Sequence, residues 1–248
     1  MTSSPATSDT PHADRALIEA VRAALRGAAV PEKAPAMQAY MKSTMPYLGV
    51  SSPERGRVLR AVFAAHPLEG FEAWRDTALA LWREATHREE RYTAIALASH
   101  RAYAAHLTRA ALPMLQEFIV DGAWWDHVDE TANLVGDLLR DDRAWMTREM
   151  RAWSTDESLW KRRVSIICQL RFKAATDLDL LYANIEANLD DRDFFIRKAI
   201  GWALREYAKT DADEVLRYVV AHADRLSPLS KREALKHALK SGTLTALP

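Results

Sequence analysis

The sequence predicts an all-α chain, an α-solenoid of about six HEAT-like helix pairs forming a concave groove. Three observations carry that expectation. Apolar residues recur at spacings of three and four almost everywhere after residue 14, and no stretch alternates with the period of a strand. Only 8 Gly and 10 Pro interrupt 248 residues, of which 48% are hydrophobic, enough for a sizeable core. A constant step of 35 residues brings Trp125, Trp160, Phe195 and Ser230 into register, each at the start of the second helix of a pair, as in stacked helical repeats.

The elements follow in order. Residues 1–13, opening with MTSSPATSDTPH, are polar and lack the basic start and apolar stretch of a signal peptide. They read as a disordered tail before a single domain over 14–248. Helices are expected at 14–27, 33–45, 53–65, 71–85, 88–104, 112–120 and 124–140. The series continues at 143–153, 157–172, 177–189, 193–208, 211–223 and 229–240. Ser52 then Pro53, Asp156, and Thr210 before DADE supply start signals. The connections are short, so neighbours should be antiparallel hairpins.

Composition removes several classes of function. No run of about 18 apolar residues exists, so no membrane span is expected. Cys168 is the only cysteine, which excludes an intramolecular disulfide and a cysteine-rich zinc site and suits a reducing cytoplasm. His66, His87, His100, His106, His127, His222 and His237 form no ligand set with it, so neither metal nor cofactor is expected.

Lys plus Arg equals Asp plus Glu at 34 each, a balance that by itself counts against a nucleic-acid partner. The distribution is uneven, however. KRRVSIICQLRFK (161–173) carries five positive charges and no negative one, and RLSPLSKREALKHALK (225–240) carries five against Glu233 alone. Arg88, Glu89, Glu90 and Arg91 read as a solvated charge run.

The stretch DGAWWDHVDETANLVG (121–136) places Asp129 four residues after Trp125, one helical turn on and on the same face. Adjacent helical positions point about 100° apart, so one of Trp124 and Trp125 belongs to the core. Asp126 suits the positive end of a helix dipole. Trp74, Trp82, Trp145, Trp153 and Trp160 are assigned to packing between repeats.

The residues two beyond the repeat anchors are His127, Arg162, Arg197 and Arg232. The three arginines form a ladder that either pairs with neighbouring aspartates or faces a ligand. Trp202 and Arg205 share a face one repeat beyond Arg162 and Arg163. Indoles, a carboxylate and guanidiniums together suit a polyanion with a local positive charge. Arginines hold phosphates, an indole face takes a cation, and a carboxylate stabilises positive charge in a transition state.

At these residues the chain resembles the DNA alkylation repair enzymes of the AlkD type, HEAT-like-repeat DNA glycosylases. AYMKSTMPYLGVSSPER (39–55), WWDHVD, LWKRRVSIICQLRFK, DRDFFIRKAIGWALREYAKTDADEV (191–215) and LSPLSKREALKHA (226–238) are similar to successive family signatures, in order, from about residue 31 onward. The resemblance implies excision of N3- and N7-alkylated purines, such as 3-methyladenine and 7-methylguanine, with the lesion left stacked where most glycosylases flip it. It implies Asp129 as the catalytic carboxylate, Trp125 and Trp202 as contacts to the lesion's deoxyribose and backbone, Arg163 and Arg205 as phosphate contacts, and Tyr40 as an aromatic residue facing DNA.

The expected partner is double-stranded DNA containing alkylated bases, met by a monomer in the cytoplasm at the nucleoid, with no membrane involved. Two other readings stand beside it: a non-catalytic solenoid binding DNA of unusual structure, and a protein-binding HEAT scaffold. The catalytic reading needs Trp125, Asp129 and Trp202 accessible on one wall. It fails if Asp129 is buried against an arginine of its own helix pair.

Overall fold

Capping chemistry sets where the helices begin. The computed structural model describes residues 10–248, and among them regular structure consists of α-helices and short 3-10 turns, with no strand. Asp14 accepts from Leu17 N, Asp177 from Leu180 N, Asp193 from Phe195 N, Asp211 from Glu214 N and Ser227 from Ser230 N. Each satisfies a backbone donor that the first helical turn would leave unpaired. No helix among the described residues is long and apolar enough to cross a membrane.

The chain divides into two compact units, one ending at Met114 and the other running Leu115–Pro248. The first holds α1 (Arg15–Gly27), α2 (Ala34–Met41), α3 (Ser52–Ala65), α4 (Gly70–Arg83) and α5 (Arg88–Ala98); the division falls inside α6 (Leu112–Val120). The second holds α7 (Trp125–Asp141), α8 (Arg143–Trp153), α9 (Leu159–Ile167), α10 (Leu178–Glu186), α11 (Phe194–Ala208), α12 (Ala212–Ala221), α13 (Pro228–Ala234) and α14 (Lys236–Ser241).

Every expected helix is present, with differences at the ends. The helix expected over 88–104 stops at Ala98, and a 3-10 turn, Arg101–His106, follows, where the Tyr103 hydroxyl accepts from Leu68 N. The helix expected over 229–240 breaks at Leu235 into α13 and α14. Of the expected tail, residues 1–9 lie outside the described residues. The segment after them is held on α4: Thr10 is buried, His12 N donates to Asp76, and Asp14 N donates to Thr77.

The charge run at 88–91 is not solvated. Arg88, Glu89 and Glu90 are buried within the first unit. Glu89 accepts from the backbone amides of Leu48, Gly49 and Val50, so its carboxylate organises the loop entering α3. Glu90 accepts from Arg22 and from Thr86 N. Backbone amides and a partner guanidinium offset the desolvation that led the pattern to be read as surface.

In the second unit α7 packs on α9, α9 on α11, and α11 most extensively on α13. The helices α8, α10 and α12 pack beside that row, each against the helices of its neighbouring turns. Asn184 ties the two rows together by donating to Ser165 O of α9, and Asn188 links the ends of α10 and α8 by donating to Ser154 O. Two glycines let the row close up. A Cβ on Gly136 of α7 would lie 2.2 Å from Cys168 O after α9, and one on Gly201 of α11 would lie 2.5 Å from Glu233 Cβ on α13.

Candidate functional site

The start of α7 separates the two tryptophans. Ala123 takes a left-handed conformation (φ 39°), Trp124 is extended, and the helix begins at Trp125. The extended backbone turns the Trp124 indole onto the neighbouring repeats, with ring centroids 6.3 Å from Trp160 and 5.4 Å from Phe195. Trp160 and Phe195 are themselves 5.1 Å apart. Trp124 is therefore the tryptophan of the pair that packs on the next repeats, although it too is only half-buried. Trp125, the first helical residue, remains half-buried.

One turn on, Asp129 meets a guanidinium from the next helix pair. Arg163 of α9 donates from Nε to Oδ1 (2.7 Å) and from Nη2 to Oδ2 (2.8 Å), while its Nη1 donates to the Phe195 carbonyl of α11 (2.6 Å). One side chain thus bridges α7, α9 and α11. The Arg163 side chain is 4% exposed and that of Asp129 is 15% exposed, so the guanidinium is covered and Asp129 is the more accessible of the two. Burial pushes the Asp129 carboxyl above its ordinary range. The hydrogen bonds and charge of Arg163 pull it back, and Asp126 on the same helix pushes it up again. Asp126 itself accepts from His127 N in the first turn.

Arg163 was expected at a phosphate and lies instead behind the carboxylate. The arginine comes from the neighbouring pair and not from the pair that holds Asp129.

Two helices along the row, α11 carries Lys198, Trp202 and Arg205 on one face, at i, i+4 and i+7. Trp202 is half-buried. Arg205 is hydrogen-bonded to Glu233 of α13, whose other oxygen takes Lys198 Nζ at 2.6 Å. Burial would raise the Glu233 carboxyl, but the Lys198 hydrogen bond and the charges of Lys198, Arg205 and Lys236 outweigh it, and the net direction is down.

The arginine ladder goes mainly to structure. Arg162 donates to Asp156 O, Glu157 O and Asp191 Oδ2, and Arg197 donates to Asp191 O, so both secure the loop before α11. Arg232 is exposed on α13. Tyr40 belongs to the first unit, at the end of α2, and is 73% exposed. Glu233, the Phe195 carbonyl and the two close-approach glycines carry no periodic or motif signal of their contacts. The one available signal was Glu233 standing as the lone acid in a basic run.

In the second unit the row α7, α9, α11, α13 carries tryptophans, an arginine-backed carboxylate and paired cations, in an all-helical fold consistent with an α-solenoid. The model of the DNA alkylation repair enzyme family matches residues 21–238, and the chain belongs to that family. Its role is therefore in DNA repair. Among solved structures it is similar to a predicted DNA alkylation repair enzyme from Enterococcus faecalis, at 31% identity and a TM-score of 0.75, over 84% of this chain and 95% of that one. No curated protein matches the chain.

Proposed function

We propose that this chain is a monofunctional DNA glycosylase that hydrolyses the N-glycosidic bond of cationic N3- and N7-alkylated purines in duplex DNA. It acts as a monomer, without a cofactor and without drawing the base into a pocket. The row α7, α9, α11, α13 is the face offered to DNA, with Trp125, Trp202, Arg205 and Arg232 on it, and Tyr40 as a further contact. The observation that carries the reading is Asp129: a mostly buried but still partly accessible carboxylate one turn after Trp125, held in place by a covered guanidinium.

The chemistry follows from the substrate's charge. An alkylated purine is already cationic and leaves as a neutral base with the bonding electron pair, so no acid is needed to protonate it. The sugar left behind is oxocarbenium-like. Water adds at its anomeric carbon and loses a proton, giving an abasic site. Asp129 stabilises the cation and aligns that water. The two indoles add contacts to the sugar of about 0.5–2 kcal/mol each.

Arg163 changes the arithmetic. A carboxylate about 4 Å from the sugar contributes about 4 kcal/mol at an effective dielectric near 20, and a guanidinium about 8 Å away opposes it by about 2 kcal/mol. The pair is a net attraction of about 2 kcal/mol. Replacing Asp129 by Asn removes the first contribution and leaves the second, a swing of about 4 kcal/mol or roughly a thousandfold.

The test is single-turnover release of 7-methylguanine from methylated duplex, wild type against Asp129→Asn. Release by the wild type, lowered at least about a hundredfold in the variant, is expected. A wild type that binds duplex and releases nothing would overturn the proposal in favour of a non-catalytic DNA-binding solenoid. Absence of any salt-dependent duplex binding would favour a protein scaffold.

A further inference from the structure

We infer that Glu233 is a positioning residue for the DNA-facing cations on both sides of Trp202, and that it sets how strongly this end of the face holds phosphate. The inference rests on the proposal that α11 faces DNA.

The geometry starts from the helix. Along α11 the direction of Gly201 lies about 60° to one side of Lys198 and that of Trp202 about 40° to the other, with Arg205 close to Lys198. Gly201 is the position that meets α13: a Cβ there would come within 2.7 Å of Ser230 O and 2.5 Å of Glu233 Cβ. The close approach brings the Glu233 carboxylate to the strip between the interface and the indole, where Lys198 and Arg205 stand. It accepts from both, one oxygen to each, and its side chain is only 12% exposed. Lys198 is 37% exposed and Arg205 18%, so Lys198 is the most accessible of the three and Glu233 the least.

One carboxylate bonded to two cations leaves that triad with a net charge of +1, and the Lys236 charge acts on the same carboxylate from outside it. The carboxylate fixes both side chains without using up their donors, because a guanidinium has five and an ammonium three. A phosphate beside Trp202 would meet two oriented cations and, from the triad, only one uncompensated charge. Such a cluster fixes the register of the backbone without holding product tightly. In a chain of zero net charge, this local balance sets the salt dependence of binding.

The experiment compares wild type, Glu233→Gln and Glu233→Asp. Affinity for an undamaged duplex is measured across salt, and excision of 7-methylguanine is measured under single turnover. Glu233→Gln keeps the shape and frees one positive charge. Its log–log salt slope should steepen by about 0.9, equivalent to about threefold over the span from about 50 to about 200 mM salt, with tighter binding at the low end. Single-turnover excision should fall, because the cations lose their fixed positions, and multiple-turnover excision should fall further as product is retained. Glu233→Asp, which keeps the charge, should restore the wild-type slope.

An unchanged slope in Glu233→Gln, or Glu233→Asp behaving like Glu233→Gln, would overturn the inference. So would a slope that flattens together with a lowered Tm in both variants, the result of a merely structural link between α11 and α13. The slope is read without chemistry. A wild type that binds duplex but releases no base therefore overturns the glycosylase reading while the slopes still decide on Glu233. A wild type that binds no duplex overturns both.

Discussion

Two interfaces in the second unit use the same parts with opposite polarity. Between α7 and α9, Gly136 allows close approach, and an acid on the leading helix, Asp129, is backed by a covered arginine on the next. Between α11 and α13, Gly201 allows close approach, and cations on the leading helix, Lys198 and Arg205, are backed by an acid on the next, Glu233. The first interface presents an anion and the second presents cations. A DNA substrate with an alkylated base carries both complements, a developing positive sugar and negative phosphates. If this row faces DNA as proposed, the partner of each presented charge would fix its position and temper its strength, and the ion pairs would serve to aim charge.

If that is so, the two pairs differ in what their loss should do. The first pair is the more covered, and removing its cation strands a desolvated carboxylate. Arg163→Met should destabilise the protein by about 3–5 kcal/mol, measured by denaturant unfolding, because it also abandons the Phe195 carbonyl. Excision should fall in step with the loss of a fixed Asp129. A variant with wild-type stability would mean that Asp129 needs no support, and the parallel between the interfaces would break.

The glycines sharpen the comparison. Alanine at either position puts a Cβ inside contact distance of backbone or Cβ atoms, at 2.2 Å for Gly136 and 2.5 Å for Gly201. Each substitution should cost about 1–3 kcal/mol from overpacking, less about 0.5–1 kcal/mol regained from helix propensity. The functional consequences should separate. Gly136→Ala should depress excision with little change in the salt dependence of binding, whereas Gly201→Ala should change the salt dependence first. Identical effects on both readouts would show that the interfaces transmit only general stability.

What could be read from sequence divides along the same physical line. Helix positions were legible because the apolar period and the capping residues are local, and even the 35-residue register placed Trp160 and Phe195 together. The ring contacts of Trp124 were not legible, because the left-handed Ala123 and extended Trp124 belong to a turn whose geometry no periodicity encodes. The spacing of Asp129 from Trp125 is local and legible, but the partner of Asp129 is not. Arg163 lies 34 positions away and was read as a surface cation, since a charge gives no sign of whether it faces out or in. The run at 88–91 was misread for the same reason. Glu89 and Glu90 are buried because amides at 48–50, Thr86 N and Arg22 receive them, and those partners are distant in sequence or lie on the backbone.

The smallest expected effect is also the one that most directly separates the two carboxylates. Asp129 is shifted up by burial against the pull of Arg163, and Glu233 is shifted down by its cations. The native state therefore binds the Asp129 proton more tightly than the unfolded chain does. Ionised Asp129 costs stability at neutral pH, and this cost is relieved as pH falls through its raised titration. Glu233 behaves oppositely: its contribution is fully present above the ordinary glutamate range and is lost as pH falls through its depressed value. Lowering the pH should thus silence Asp129 first and Glu233 later. Single-turnover excision, followed from about pH 7.5 to about pH 4.5, should decline with a midpoint above the ordinary aspartate range near about 3.9. The difference in duplex affinity between wild type and Glu233→Gln should persist through that decline. Asp129→Asn should lack the acidic limb altogether. A rate that stays flat down to the ordinary aspartate range would show that the carboxylate is held as Glu233 is. The two interfaces would then differ only in which helix carries the acid.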